Sequence, residues 1–328
     1  MQRLTRRNVV IGAGAAASAL ALPRMAQSAP AGFPNKNIQF VIPYAPGGGF
    51  DVYVRVIAPV MEKYLPNKVN IVPINVASGG GSRGVAQLYR SKPDGYTFGI
   101  LNVPGMFILQ QQQGAGAYDL AKFSWIGAMG EGERYVIAVG SKSPLKTFAD
   151  LKALSAKRPV KLSVTGPEGT AYAATMIGTR LLDLKTQLIT GYKGSADYVV
   201  AAIRGDSDAV IAAIPTTLRF VRGGTVRVLA SFETKSSFPG VPDATALGQP
   251  ELDNISVERV VAGPPGMPAD IQNTLSMALG KALADPVVVK WAKENDLVMR
   301  SRTPQETTAL VAEQRKFFDK FKNYLTAS

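Results

Sequence analysis

The chain has no cysteine and no histidine in its 328 residues. Without cysteine there are no disulfides, so stability rests on a core, which a chain of this length is able to bury. Without either residue there is no thiol nucleophile, no imidazole base, and no histidine- or thiolate-ligated metal. Most of the usual hydrolase chemistry is excluded with them. Acidic residues are also in deficit, 24 against 37 Lys and Arg, for a net charge of +13. The cations are scattered among the acids rather than massed on one stretch. That spread argues against nucleic acid as a partner and suits anionic small ligands or an anionic envelope.

Long hydrophobic runs are missing as well. The N-terminal apolar stretch Val9–Leu22 falls short of the roughly 20 residues that span a bilayer. Thr5-Arg6-Arg7 precedes it, and Ala26-x-Ser28 follows with the small residues of a cleavage site. Residues 1–28 are therefore expected to be a signal peptide and the mature protein to be periplasmic. The arginine pair favours the twin-arginine route, while Val9-Val10-Ile11 matches its usual continuation poorly and leaves general secretion open. A retained membrane anchor is disfavoured by the short span. The remainder has the length of about two domains.

What the chain does have is glycine at strand-to-helix corners. Ile38–Asp51 reads as an apolar strand, a turn through Gly47, Gly48 and Gly49, and an acidic residue opening a helix. Three glycines permit positive φ and put no Cβ between the amides and a ligand. At a helix N-terminus such a turn gathers unpaired N–H groups under the positive end of the helix dipole, which makes an anion cradle without a cationic side chain. Val69–Gly84 repeats the idea, and Thr165–Thr170 and Gly191–Gly194 add two more turns. Alone, each is an ordinary corner. Four of them at strand ends, on both sides of a change near Glu131–Arg134, point to one shared cleft.

The alternation of strands and helices predicts an α/β fold with largely parallel sheets. Strands are expected at Ile38–Ile42, Val69–Ile74, Tyr96–Leu101, Tyr135–Val139, Lys161–Val164, Gln187–Thr190, Ala209–Ala213, Val226–Ser231 and Val257–Ala262. The first helix is expected over Asp51–Leu65, with Val52, Val56, Val60 and Tyr64 on its buried stripe and a weak turn at Pro59. Thr147-x-x-Asp150 predicts a capped helix start, and Gln305–Leu325 one long final helix. No short-period repeat and no low-complexity linker is present.

Three motif spellings carry less than they suggest. Gly79-x-Gly81-x-x-Gly84 matches a dinucleotide fingerprint but follows the second strand, and no acid lies about twenty residues on. Gly80-x-Ser82-x-Gly84 spells a nucleophile elbow, yet no imidazole exists to take the serine proton. Ser143-x-x-Lys146 lacks the partner motifs of penicillin-binding enzymes and reads as a helix entry. No cofactor and no metal is expected.

The ordered set Ile42-Pro43-Tyr44-Ala45-Pro46-Gly47-Gly48-Gly49-Phe50-Asp51, Asn75-x-x-Ser78-Gly79-Gly80-Gly81 and Lys92-Pro93-Asp94-Gly95-Tyr96-Thr97 resembles the substrate receptors of tripartite tricarboxylate transporters, the Bug receptors. Tyr192-Lys193-Gly194, Gly205-Asp206-x-Asp208 and Ala262-Gly263-Pro264-Pro265-Gly266-Met267-Pro268 continue in the same order, so the resemblance spans the mature chain. It implies a two-lobed periplasmic-binding-protein-like fold (type II), with two hinged α/β domains closing on a small organic carboxylate. Lobe 1 would be 30–132 plus 256–328, and lobe 2 would be 133–255. The resemblance further implies a non-enzymatic monomer that delivers its ligand to the large and small membrane subunits of a permease. A ligand-binding partner of a sensor, or an exported serine hydrolase, are the other readings.

In this family, ligand carboxylates are held mainly by backbone amides and ordered waters of the glycine turns. The implied contacts are Tyr44, Ala45, Gly47, Gly48, Gly49, Phe50 and Asp51, then Ser78, Gly79 and Gly80. From the other lobe they are Thr165, Gly166, Gly169, Thr170, Tyr172, Pro215 and Thr216. Phe50 stands where a small polar residue is common and Tyr172 where His is frequent. Either both rings flank the ligand and favour an apolar or aromatic carboxylate, or both pack into the lobe cores.

Overall fold

The computed structural model describes residues 32–77, 81–113, 117–166, 169–192 and 194–325. The proposed signal peptide and the turn residues Ser78, Gly79, Gly80 and Lys193 lie outside them. The fold is mixed α/β and two-lobed, with one sheet in each lobe.

In the first lobe, β1 (Ile38–Ile42) lies between β2 (Ile71–Asn75) and β3 (Thr97–Val103), parallel to both. Phe40 sits opposite Phe98 in the register, and their rings pack at 4.4 Å. α1 (Gly49–Glu62) returns the chain across this sheet. It buries Val54, Ile57, Ala58 and Met61, an i, i+3, i+4, i+7 stripe, and continues through Pro59. The expected stripe is displaced by about half a turn: Val52 is 40% exposed, and only Val60 of the four is buried. α2 (Ser82–Tyr89) and α3 (Gly105–Gln113) follow β2 and β3. β4 (Ser124–Met129), absent from the sequence reading, completes the lobe beside the returning strand described below.

β5 (Glu133–Gly140) opens the second lobe. α4 (Phe148–Lys157) begins at the predicted capping box, with Thr147 Oγ1 accepting from the Asp150 amide and Asp150 from the Thr147 amide. β6 (Val160–Ser163), α5 (Thr170–Leu181), β7 (Thr186–Ile189), α6 (Ser195–Arg204), β8 (Ala209–Ala213), α7 (Ile214–Arg222) and β9 (Val226–Ser231) complete the layer. β6 is parallel to β7 and β8, while β5 runs antiparallel to β8 and β9. α7 was not foreseen, because Pro215 reads as a strand end. It stands in the first helical turn, where a missing N–H costs nothing.

β10 (Ser256–Gly263) carries the chain back. It pairs antiparallel with β3 and β4 in the first lobe and, through Ser256 and Val257, with Arg134 and Glu133 of β5. The sheets are therefore mixed, not largely parallel. β5 and β10 are the strands by which the chain enters and leaves the second lobe, so each runs against the βα units it joins. α8 (Ala269–Ala284) and α9 (Pro286–Glu294) cover the first sheet, and β11 (Ser301–Arg302) edges β4. The final helix breaks at Phe321 into α10 (Pro304–Lys320) and α11 (Lys322–Leu325). Phe317, Phe318, Phe321 and Leu325 pack into the apolar cluster of the second lobe, with Tyr135 and Ile177. The C-terminus thus straps one lobe to the other.

A network of charges is drawn in where β5 and β10 meet. Glu133 pairs with Arg259 at 2.7 Å, and Arg134 with Asp253 at 2.9 Å. Glu258 accepts from Ser256 at 2.7 Å and from Arg302 at 3.3 Å.

Candidate functional site

The turn from β1 to α1 is built around Asp51. Its side chain folds back to accept from the Gly47 amide at 2.8 Å, Asn75 Nδ2 at 2.8 Å and Arg55 Nε at 2.9 Å. Asn75 also donates to the Tyr44 carbonyl at 3.0 Å. Asp51 is 2% exposed, and the Arg55 guanidinium beside it, with the Gly47 and Asn75 donors, outweighs burial and lowers its pKa to about 2. Asp51 therefore organises the turn. Its carboxylate is occupied by internal donors and would repel an anionic ligand.

Gly47 takes the left-handed conformation, φ 78°, whereas Gly48 is the N-cap at φ −74°. The positive φ expected of the triplet is thus concentrated in Gly47. Among the described residues the amides of Gly49 and Phe50 have no intramolecular acceptor. They face solvent at the positive end of α1, while the Gly47 amide is committed to Asp51. Gly81, φ 103°, caps α2 and lets it close on this turn: a Cβ there would lie 3.0 Å from the Tyr44 ring and 3.1 Å from the Pro43 carbonyl.

Phe50 does not stand bare. Its ring packs on Tyr44 at 4.5 Å, and the Arg259 guanidinium lies over it at 4.8 Å. Tyr172 is half-buried against the second-lobe core. Thr216 donates to Ser195 at 3.1 Å, so the Pro215-Thr216 turn ties α7 to α6 within its own lobe.

Besides the Arg259–Glu133 pair, a neutral polar contact joins the lobes beside these turns. Asn102, at the end of β3, donates from Nδ2 to Thr170 Oγ1 in the first turn of α5, at 2.6 Å. Gly105 makes room for it, since a Cβ there would lie 2.8 Å from Asn102 Nδ2 and 2.9 Å from Thr170 Oγ1. Around this contact, Tyr44 OH, Asn102 Oδ1 and Thr165 Oγ1 are buried without a hydrogen-bond partner among the described residues. The Tyr44 phenol lies next to Asn102, and burial raises its pKa well above the usual value. Gly169 packs on Thr165 and caps α5. The predicted Tyr44, Gly49, Phe50, Thr165, Gly169 and Thr170 are thus brought to the meeting of α1, β3 and α5.

Asn102, Gly105 and Arg259 join them and were not foreseen from sequence. The signal for Arg259 was available. Glu258-Arg259 interrupts an otherwise apolar strand, and a charge pair inside a buried strand demands partners. Among the described residues no cluster of three or more His, Cys, Asp or Glu side chains is placed to hold a metal, and no helix is long and apolar enough to cross a membrane. Among the described residues the arrangement offers backbone and neutral polar donors to an anion.

Residues 53–322 match the model of the tripartite tricarboxylate transporter family receptor. Protein BugT of Bordetella pertussis is 29% identical, over 95% of this chain and 94% of its own length. Two solved Rhodopseudomonas palustris structures share the fold. One, with adipate, has a TM-score of 0.74 at 21% identity, over 90% of this chain and 98% of its own. The other, MatC with bound malate, has a TM-score of 0.72 at 20% identity, over 89% of this chain and all of its own.

Proposed function

Because the chain belongs to the tripartite tricarboxylate transporter receptor family, we propose that it is a periplasmic receptor for a small organic carboxylate. The ligand is held between lobe 1, 30–132 plus 256–328, and lobe 2, 133–255. The observation that carries the reading is the set of unsatisfied donors and acceptors at the lobe junction. Among the described residues, Gly49 and Phe50 present free amides, and Tyr44, Asn102 and Thr165 present buried polar atoms without partners. Buried polar groups are normally satisfied, so a ligand that completes these is stabilised by bonds the empty protein lacks. Relatives of the same fold are described with malate and with adipate bound. A ligand touching α1 and α5 together favours the closed arrangement, because only there does it contact both lobes.

The loaded receptor then hands its ligand to the large and small permease subunits and performs no chemistry on it. Ala45, Gly47, Gly48, Ser78, Gly79, Gly80, Gly166, Tyr172, Pro215 and Thr216 remain proposed lining positions, while Asp51 shapes the turn. The test is a thermal-shift and calorimetric screen of the mature chain over mono-, di- and tricarboxylates. A ligand at about 100 times its Kd adds roughly 2.7 kcal/mol of stability. Binding of neutral sugars or cationic amines with no response to any carboxylate would overturn the reading.

A further inference from the structure

The α1 site contains one buried cation, and its bonding is incomplete. Arg259 projects from β10 and is 8% exposed. Nη1 donates to Glu133 Oε1 at 2.7 Å. The guanidinium lies over the rings of Phe50, at 4.8 Å, and Tyr53, at 4.3 Å. Tyr53 in turn donates to Glu133 at 3.3 Å, so rings and carboxylate together fix the plane of the fork. Among the described residues Nε is buried without a partner. Nη2 has no acceptor among the described residues and lies 3.6 Å from the position a Cβ would take on Gly49. Burial works against the charge, but Glu133 and the neighbouring tyrosines more than offset it and hold the group charged.

A guanidinium carries five donors and no acceptor. Unmade bonds on a buried charge are costly, and such groups persist where something else completes them. The open edge of this one is directed at the first amides of α1, which are also unpaired. Glycine at position 49 keeps a side chain from standing between the two sets of donors.

We propose that Arg259 is a ligand-binding residue of this same site: its open edge supplies a charged donor to the carboxylate seated on the amides of Gly49 and Phe50, and so selects the ionised acid over its neutral amide. This rests on the carboxylate reading above. Backbone amides accept a carboxylate and an amide carbonyl alike, whereas a guanidinium favours the anion. Phe50 acts as the platform that positions it, a different role from an apolar wall.

Removing Arg259 alone would strand Glu133 as a buried, unpaired charge. The test therefore uses Glu133→Gln/Arg259→Gln beside Glu133→Gln, each checked for a parent-like circular dichroism spectrum. Calorimetry compares adipate and malate with their diamides, adipamide and malamide, together with a wider carboxylate panel. The double variant is expected to bind the acids at least 10-fold more weakly than Glu133→Gln and the diamides equally, collapsing the acid-to-amide preference. Equal loss for acid and diamide would mark a structural role and overturn the proposal. Unchanged acid affinity in the folded double variant would overturn it while leaving the receptor reading intact. A parent chain that binds no carboxylate overturns both.

Discussion

Asp51→Asn tests the logic of the α1 turn most directly. The carboxylate is the acceptor for three groups, the Gly47 amide, Asn75 Nδ2 and Arg55 Nε, at 2.8–3.0 Å. An asparagine keeps the shape but loses the charge and turns one oxygen into a donor, facing donors. The folded pKa of about 2 lies below the ordinary 3.8, so the ionised form is the one the fold prefers. Its stabilisation is full above about pH 4 and fades as pH falls through about 2. The shift corresponds to roughly 2 kcal/mol at neutral pH. Urea unfolding at pH 7 should show Asp51→Asn less stable by about 2–3 kcal/mol, which includes the misdirected donor. Repeated at decreasing pH, the gap between parent and variant should narrow below about pH 4, because the parent begins to lose the same charge. Affinity for any carboxylate should fall as well, since Gly47 no longer fixes the first amides of α1. A variant as stable as the parent at pH 7, or a gap that does not change with pH, would refute this account of the turn.

Asn102→Ala should leave stability nearly unchanged and weaken carboxylate binding by about 5- to 10-fold, the worth of one cross-lobe hydrogen bond. Unchanged affinity by calorimetry would remove that contact from the closed state. Gly84→Ala places a methyl 2.8 Å from both Pro43 Cβ and the Val76 carbonyl, so α2 must shift. A loss of about 1–3 kcal/mol in denaturant unfolding is expected despite alanine's better helix propensity, and a gain would show that α2 is free to move. Thr147→Ala serves as a control remote from the site. It should cost about 1 kcal/mol through the lost capping box, with no change in ligand affinity. Phe50→Thr should weaken small hydrated diacids as well as apolar acids, by roughly 0.5–2 kcal/mol, because it removes the ring under Arg259. Loss confined to apolar ligands would return Phe50 to the role of a bare wall.

Local chemistry was legible wherever the chain decides its own conformation. Ala209–Ala213 and Val226–Ser231 are apolar runs bounded by turn residues, and both are strands with the expected ends. Thr147 and Asp150 are three residues apart and cap α4 as their spacing dictates. Gly47, Gly81 and Gly169 stand at helix starts because only the local backbone is involved there. Boundaries were less secure. β4 was overlooked, and Pro215 hid α7, since a proline in a first turn and a proline ending a strand look alike in one dimension.

Tertiary structure decided everything that depends on partners distant along the chain. The sequence alone determined an α/β chain, free of thiol and imidazole chemistry, with amide-rich turns at helix starts suited to an anion. Its expectation of largely parallel strands fails at β5 and β10, because direction follows from where the chain crosses between lobes. The resemblance put Asp51 among the implied ligand contacts, while Asn75 and Arg55, brought in by β2 and the next helical turn, draw its carboxylate inward. The resemblance left Phe50 either against a ligand or in the lobe core, while Arg259, more than two hundred residues later, lies over that ring. A side chain's role is set by which charges and rings surround it, and those neighbours are assembled only when the lobes fold and meet.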